Sequence, residues 1–267
     1  MLCKNTSMFK SGFFNCFAGA VLFFLGNVSS AGAFDFSGWE VLLKEGVAPA
    51  SIDGVDLNAV DYRKMKADSA FNKLVDALKT ASLEDLKTRE DRLAFWINVY
   101  NILAVKVVVD HYPVESIKDV GNILKSVWNR PAGVVAGKER TLNDVEHEIL
   151  RKMGEPRIHL AIVCASVSCP DLRQEAYTPD RLDEQLDDQV KKFLANTGKG
   201  MKIDKNKRRL YLSSIFKWFE EDFASQGGVT AFVSRFVAPS DKKIIQGSGM
   251  KLKYLDYNWD LNEAEKK

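Results

Sequence analysis

Apolar residues recur at helical spacing or in uninterrupted runs through most of the chain. Residues 68–81 alternate apolar and polar positions at the spacing of an amphipathic helix. Residues 92–109 form the longest apolar stretch beyond residue 34 and contain neither Gly nor Pro. A segment this long and this apolar on every side predicts a buried helix.

Shorter patterns predict further elements. Residues 133–140 indicate a strand and hairpin, and a helix is predicted over 142–153. Thr141 is placed as its N-cap, with the acidic Asp144 at the capping-box position. Another helix begins after Thr178, where a proline occupies the first helical position.

The run from His159 to Cys164 is short and apolar, and prolines and serines flank it, which is typical of a buried strand. Helices and strands are mixed without a βαβ rhythm. The sequence therefore predicts a single α+β domain, with several helices packed around a small, mostly antiparallel sheet. Four aromatic side chains are expected in its core: Phe216, Trp218, Phe219 and Phe223.

The first 33 residues have the three parts of a secretory signal peptide. Lys4 and Lys10 make the start basic, residues 14–28 are densely apolar, and residues 31–33 read Ala-Gly-Ala. A membrane anchor is the alternative, but about 15 apolar residues are short for the roughly 20 that span a bilayer. We expect cleavage, with export to the periplasm or the medium, and one soluble domain over 34–267.

Net charge and cysteine content argue against a nucleic-acid-binding protein and against a disulfide-stabilised fold. Without the two lysines of the signal, 36 of the 38 basic residues remain and balance the 36 acidic ones. A neutral chain has no basic field to attract nucleic acid, so no nucleic-acid partner is expected. No later segment predicts a membrane span. Cys164 and Cys169 remain, and two cysteines do not make a disulfide framework.

Six segments, in order, resemble the bacterial and plant family called domain of unknown function 547 (DUF547), and we identify the chain as an exported bacterial member. The similar core covers about residues 94–262. The resemblance implies a fold and a set of motif positions but no reaction. The segments are AFWINVYNILAV at 94–105, HYPVESI at 111–117, TLNDVEHEILR at 141–151, RIHLAIVCASVSCPDL at 157–172, LSSIFKWFEEDF at 212–223 and YLDYNWDLN at 254–262.

Glu146 and His147 stand out in the predicted helix 142–153. At 100° per residue, Glu146 falls inside the apolar arc and His147 lies just beyond its edge. A carboxylate on the core side is costly unless it is paired. The two residues form either a general-base or ligand pair at a cleft margin, or a polar contact that organises the fold.

Asn98 and Asn101 are three apart in the long apolar helix and so share one face, away from its charged residues. Buried amides must be hydrogen-bonded. The bonds go either to irregular backbone, which is the more common arrangement, or to a catalytic histidine or an oxyanion.

Cys164 ends the predicted strand, and Cys169 lies in the loop that follows. Four interpretations remain open: a nucleophile, a local disulfide, inert core thiols, or a zinc site with His147 and His159. Strand parity places His159 on the face opposite Cys164, which favours a structural role for that histidine.

The leading hypothesis is a thiol-dependent hydrolase or acyl transferase without a cofactor. Cys164 would be the nucleophile, His147 the base, with Glu146 beside it, and Asn98 the orienting residue. The substrate would be a small molecule or a peptide. The alternative is a non-catalytic envelope protein that binds a ligand or partner through the same residues. No motif of a serine hydrolase, zincin or nucleotide-binding enzyme occurs.

The signal peptide makes a direct prediction. N-terminal sequencing of the exported protein should start at or near Phe34, because the small residues just before it form the cleavage site. An intact Met1 in the membrane fraction would contradict this prediction.

Overall fold

The computed structural model describes residues 34–122, 125–247 and 249–263, so the predicted signal peptide lies outside the described residues. The helices are α1 (Ser37–Gly46), α2 (Tyr62–Ala67), α3 (Ser69–Leu78), α4 (Arg89–His111), α5 (Leu182–Ala195), α6 (Ile215–Trp218), α7 (Val229–Val233) and α8 (Pro239–Gln246). The strands are β1 (Val47–Ile52), β2 (Val55–Val60), β3 (Pro131–Val135), β4 (Lys138–Thr141), β5 (Met201–Asp204), β6 (Arg209–Leu212) and β7 (Lys251–Tyr254).

Helix α4 is the predicted apolar helix and runs through the core. A reciprocal capping box starts it: the Thr88 side chain accepts from the Asp91 N–H at 3.0 Å, and Asp91 accepts from the Thr88 N–H at 2.8 Å. Among the described residues, α4 alone is long and apolar enough to cross a membrane. Its apolar window is 89% buried inside the protein, as in the core helix of a folded domain.

The domain is α+β, as predicted, but its strands form three small sheets instead of one. β1 pairs antiparallel with β2, and β3 with β4. In the third sheet β6 lies between antiparallel β5 and parallel β7. Each sheet covers part of the helical core, and the pairing is mostly antiparallel as expected.

The predicted helix over 142–153 is wound more widely than an α-helix. Thr141 and Asp144 form the expected capping box, each side chain accepting from the other's N–H at 2.9 Å. The segment Asp144–Leu150 is a π-helix, followed by a 3-10 turn. Such π segments are rare and are often found at functional sites, and this one carries Glu146 and His147.

The predicted strand from His159 to Cys164 is wrong. A 3-10 helix, Pro156–Leu160, occupies its start, and the chain then crosses the core as irregular backbone. Asn101 substitutes for a neighbouring strand: its amide donates to the Ala161 carbonyl at 3.1 Å and accepts from the Val163 N–H at 2.9 Å. The apolar side chains made the segment resemble a strand, but Asn101 of α4, and not a neighbouring strand, pairs these two backbone groups.

Asn98 does the same for a second irregular segment. It donates to the Tyr177 carbonyl at 2.8 Å and accepts from the Tyr177 N–H at 2.9 Å. The side chain is therefore held by backbone and does not orient a histidine. Thr178 precedes the 3-10 turn that leads into α5, with the proline at the predicted position, but its side chain makes no cap hydrogen bond to the turn.

Replacing Asn101 by Ala should lower the free energy of unfolding by about 2–4 kcal/mol, because a buried carbonyl and a buried N–H lose their partners. Urea melts measure the loss. Asn72→Ala is the matched control: Asn72 is exposed on α3, and its loss should stay within about 0.5 kcal/mol. Equal free energies of unfolding for the two variants would show that Asn101 does not hold the backbone between Ala161 and Val163.

Candidate functional site

A cleft of about 320 Å³ opens where the hydrophobic cluster around α4 meets a second cluster around α6 and α7. Both cysteines, Glu146 and two histidines line it. The remaining lining is mainly apolar and includes five aromatic side chains besides Tyr100: Trp128, Trp218, Phe219, Tyr257 and Trp259.

The Cys164 sulfur lies in this cleft beside one thiol and two hydroxyls. It is 2.9 Å from the Cys169 sulfur, 3.0 Å from the Tyr257 hydroxyl and 3.1 Å from the Ser166 hydroxyl. Burial opposes the thiolate, but hydrogen bonds from these three groups outweigh it and lower the pKa of Cys164. The side chain is half-buried, so a molecule in the cleft can approach it.

The backbone just after Cys164 is held in an unusual conformation. Ala165 has φ 57°, in the left-handed region that residues with a Cβ seldom adopt. The C-terminal segment clamps this turn: the Asn262 N–H donates to the Ala165 carbonyl at 3.2 Å, and the Val167 N–H donates to the Asp260 carbonyl at 2.9 Å. Strained backbone of this kind persists where surrounding contacts enforce it, frequently at functional sites.

Glu146 is buried beside the cleft, as its place on the helical wheel predicts. The Tyr100 hydroxyl donates to it at 3.1 Å. Burial raises the pKa of Glu146 to about 7, so the carboxyl holds its proton through mildly acidic pH. Its negative charge, when present, raises the pKa of Cys164, which places the two groups within electrostatic reach of each other.

His159 faces the same cleft, although strand parity predicted the opposite face. Its Nε2 lies 2.7 Å from Asp222 and its Nδ1 lies 4.0 Å from Glu146. Burial lowers the pKa of His159 and keeps the ring neutral. Burial also opposes ionisation of Asp222, but hydrogen bonds from His159 and Arg151 hold the pKa of its carboxyl well below its usual range.

An ionised Asp222 fixes the tautomer of His159. The carboxylate can only accept, so the ring proton lies on Nε2 and the lone pair on Nδ1 faces Glu146. This Nδ1 is buried and has no hydrogen-bond partner among the described residues. Phe219 stacks on the ring at 3.9 Å and fixes its plane.

His147 lines the cleft but is not free to act as a base at Nδ1. The Arg151 guanidinium, which always donates, lies 2.7 Å from that nitrogen, so Nδ1 accepts and Nε2 carries the proton. Burial, followed by the charge of Arg151, lowers the pKa of His147. The ring is therefore neutral, with a hydrogen-bond donor at Nε2, and its role as a base stays a prediction.

The structure thus brings Cys164, Glu146 and His147 to one cleft, and it leaves Asn98 bound to backbone elsewhere. The zinc alternative has no support in the described part of the chain, where no three His, Cys, Asp or Glu side chains are placed to hold a metal ion. Cys169 lies beside Cys164 as a free thiol.

Sequence reasoning missed Asp222 and Tyr257, which reach the cleft from distant segments. Both lie in motifs that resemble the family, and no spacing rule connects them with Cys164. It also misplaced one aromatic residue. Phe216 and Phe223 are fully buried, but Trp218 is 47% exposed and stacks on Trp259 at the cleft.

Residues 83–194 match the family model described as "Protein of unknown function, DUF547". The match contains Glu146, His159 and both cysteines, whereas Asp222 and Tyr257 lie beyond it. No curated protein and no solved structure matches the chain.

Glu146 should make the stability depend on pH. The folded protein binds its proton more tightly than the unfolded chain, since the pKa rises from 4.5 to about 7 on folding. The contribution is fully present below pH 4.5 and is lost as pH rises through about 7. Relative to Glu146→Gln, the wild-type free energy of unfolding should fall by about 3 kcal/mol across this window.

Urea melts at a series of pH values measure the difference. Glu139→Gln on β4 is the control, because that side chain is exposed, and its curve should run parallel to the wild type. A constant difference between wild type and Glu146→Gln would mean that folding does not change the pKa of Glu146.

Proposed function

Because the chain belongs to the DUF547 family, whose description states no activity, we propose its function from the cleft: a thiol-dependent hydrolase or acyl transferase with Cys164 as nucleophile. One observation carries the proposal. The half-buried Cys164 sulfur lies in a mainly apolar cleft, in hydrogen-bond contact with one thiol and two hydroxyls. These groups can donate to the thiolate once it forms, and their hydrogen bonds lower the pKa of Cys164.

Glu146 is the acceptor for the thiol proton. The negative charge of an ionised Glu146 raises the pKa of Cys164, so the pair favours states in which at least one of the two groups carries its proton. A pKa of about 7 suits a group that takes and returns a proton at neutral pH. This assignment replaces the base role predicted for His147.

The Cys164 proton passes to Glu146 through a substrate group or a water that bridges the two side chains, which are not hydrogen-bonded to each other. The thiolate forms an S–C bond with the acyl carbon, and the leaving group departs with the proton from Glu146. Water or an acceptor alcohol or amine then attacks the thioester. The acyl group is transferred and the thiol is restored.

His159 and His147 act around this pair. His159, with its tautomer fixed by Asp222, is a positioning residue whose Nδ1 would need to move about 1 Å to bond with Glu146. His147 carries its proton on Nε2, which suits a donor to the substrate carbonyl as negative charge develops there.

The lining supports a proposal for the kind of acyl group that the cleft accepts. Among the described residues, no lysine or arginine lines the cleft, and Glu146 is its one carboxyl group. A negatively charged acyl group would meet no counter-charge. The aromatic walls favour a neutral, apolar group, from a small molecule or a peptide.

We also propose that the protein works after export, as residues 1–33 predict. Packing at the expected new N-terminus supports this proposal. Phe34 lies 4.8 Å from Phe36 and 6.1 Å from Phe95 between ring centres, so the folded domain includes the residue after the cleavage site.

A binding protein is the second candidate. Its supporting observation is that no histidine or carboxylate in the described chain hydrogen-bonds directly to the Cys164 sulfur, whose contacts are hydroxyls and a thiol. The aromatic cleft would then hold an apolar ligand without chemistry.

The neutral ester p-nitrophenyl butyrate separates the two candidates. The reduced enzyme should release a burst of p-nitrophenolate and carry one butyryl group on Cys164, which peptide mapping by mass spectrometry locates. Cys164→Ser should give no burst. Glu146→Gln should slow acylation about 100-fold and remove the ionisation near pH 7 from the rate profile.

His147→Ala is the matched variant, since it removes a titratable lining residue on the same π-helix. The acylation rate of this variant should fall, but its dependence on pH should keep the ionisation near pH 7, because Glu146 is intact. Loss of that ionisation in His147→Ala would return the base role to the histidine. A Cys164 that stays unmodified in the folded, reduced protein would contradict the enzyme and favour the binding protein.

A further inference from the structure

The cleft contains a second thiol that forms no bond to the substrate in the proposed acyl transfer. The Cys169 sulfur lies 2.9 Å from the Cys164 sulfur, and both are free. We propose that Cys164 and Cys169 form a dithiol–disulfide couple, in which Cys164 attacks an external disulfide and Cys169 resolves the mixed disulfide. This activity rests on the sulfur pair and does not depend on acyl transfer.

The two thiols differ in access, as the two roles require. Cys164 is half-buried at the cleft, whereas Cys169 is 2% exposed. An external disulfide entering between the aromatic walls reaches Cys164 first. Cys169 is then already beside the sulfur that it must attack, and no solvent-exposed thiol competes with it in the described chain.

The backbone holds the pair at bonding range. A disulfide bond is about 2.05 Å long, so the two sulfurs need to approach by less than about 1 Å. The Cys164 N–H donates to the Cys169 sulfur at 2.7 Å. Between the cysteines, the C-terminal segment binds the backbone of Val167 and Ser168, which keeps the connecting loop in place.

The steps balance in atoms and electrons. The Cys164 thiolate attacks RS–SR, an S–S bond forms to one sulfur, and the other leaves as RS⁻. Cys169 loses its proton and attacks the Cys164 sulfur, and the second RS⁻ leaves. The protein dithiol has lost two electrons and two protons, and the external disulfide has become two thiols.

Formation of the mixed disulfide on Cys164 lowers the pKa of Cys169. Burial, and then the hydrogen bond and negative charge of Cys164, raise the pKa of Cys169 well above its usual value. Once Cys164 is part of a mixed disulfide, the hydrogen bond and charge of its thiolate are gone. Burial still raises the pKa of Cys169 in the mixed disulfide, but the two contributions from Cys164 are lost, so its thiolate forms more readily when an electrophilic sulfur is in contact.

The test uses the full chain with Cys3→Ser and Cys16→Ser, so that only the two cleft thiols remain. This protein is reduced, freed of reductant and treated with oxidised glutathione, and mass spectrometry follows the acid-quenched samples. We expect loss of two hydrogens, no retained glutathione, and a peptide linked between Cys164 and Cys169. If the protein retains glutathione, or if the folded protein does not react, the proposed dithiol–disulfide couple is wrong. This result alone decides the question.

Two variants assign the roles. Cys169→Ser should keep one glutathione on Cys164, because the resolving thiol is absent. Cys164→Ser should react at least about tenfold more slowly, since its remaining thiol is buried and of high pKa. Faster adduct formation at Cys169 than at Cys164 would overturn the assignment. Acylation of Cys164 by an ester is measured separately, so either proposal can fail alone.

Discussion

The position of the Cys164 sulfur depends on one side-chain amide. The chain between Ala161 and Val163 crosses the core without a neighbouring strand, and buried backbone groups must be paired. Asn101 pairs one carbonyl and one N–H there, from the middle of a helix that is itself buried. Because α4 is rigid and centrally packed, the residue that follows this crossing, Cys164, is placed with little freedom.

A second constraint is the charge network centred on Asp222. Its carboxylate accepts from Arg151 at 2.6 and 2.7 Å and from His159 at 2.7 Å. Through Arg151 the network continues to His147. One ionised carboxylate thus joins the π-helix to the segment after α6, and it sets the protonation pattern of both histidines.

The physical basis of each prediction explains which ones succeeded. Helix α4 was predictable because length, lack of Gly and Pro, and apolar residues on every side agree. Glu146 was predictable as buried because helical periodicity survives even where the winding becomes π. The shared face of Asn98 and Asn101 followed from the same periodicity, although one of them lies away from the cleft.

The failures have an equally specific cause. A short apolar run does not distinguish a strand from buried irregular backbone, and the error at 159–164 placed His159 on the wrong face. Tyr257 is separated from Cys164 by 93 residues, so no local pattern connects the two. Contacts of this kind depend on the tertiary fold and were not visible in one sequence.

The two proposed activities meet at one sulfur atom, and each therefore excludes the other at any moment. A disulfide to Cys169 uses the electron pair with which Cys164 would attack an acyl group, whereas a thioester on Cys164 leaves Cys169 without a partner. Because the two sulfurs are only 2.9 Å apart, disulfide formation with Cys169 competes directly with acylation of Cys164. Acyl transfer accordingly requires a reduced pair, and the redox state of the surroundings becomes a control on whether the cleft can act as a nucleophile.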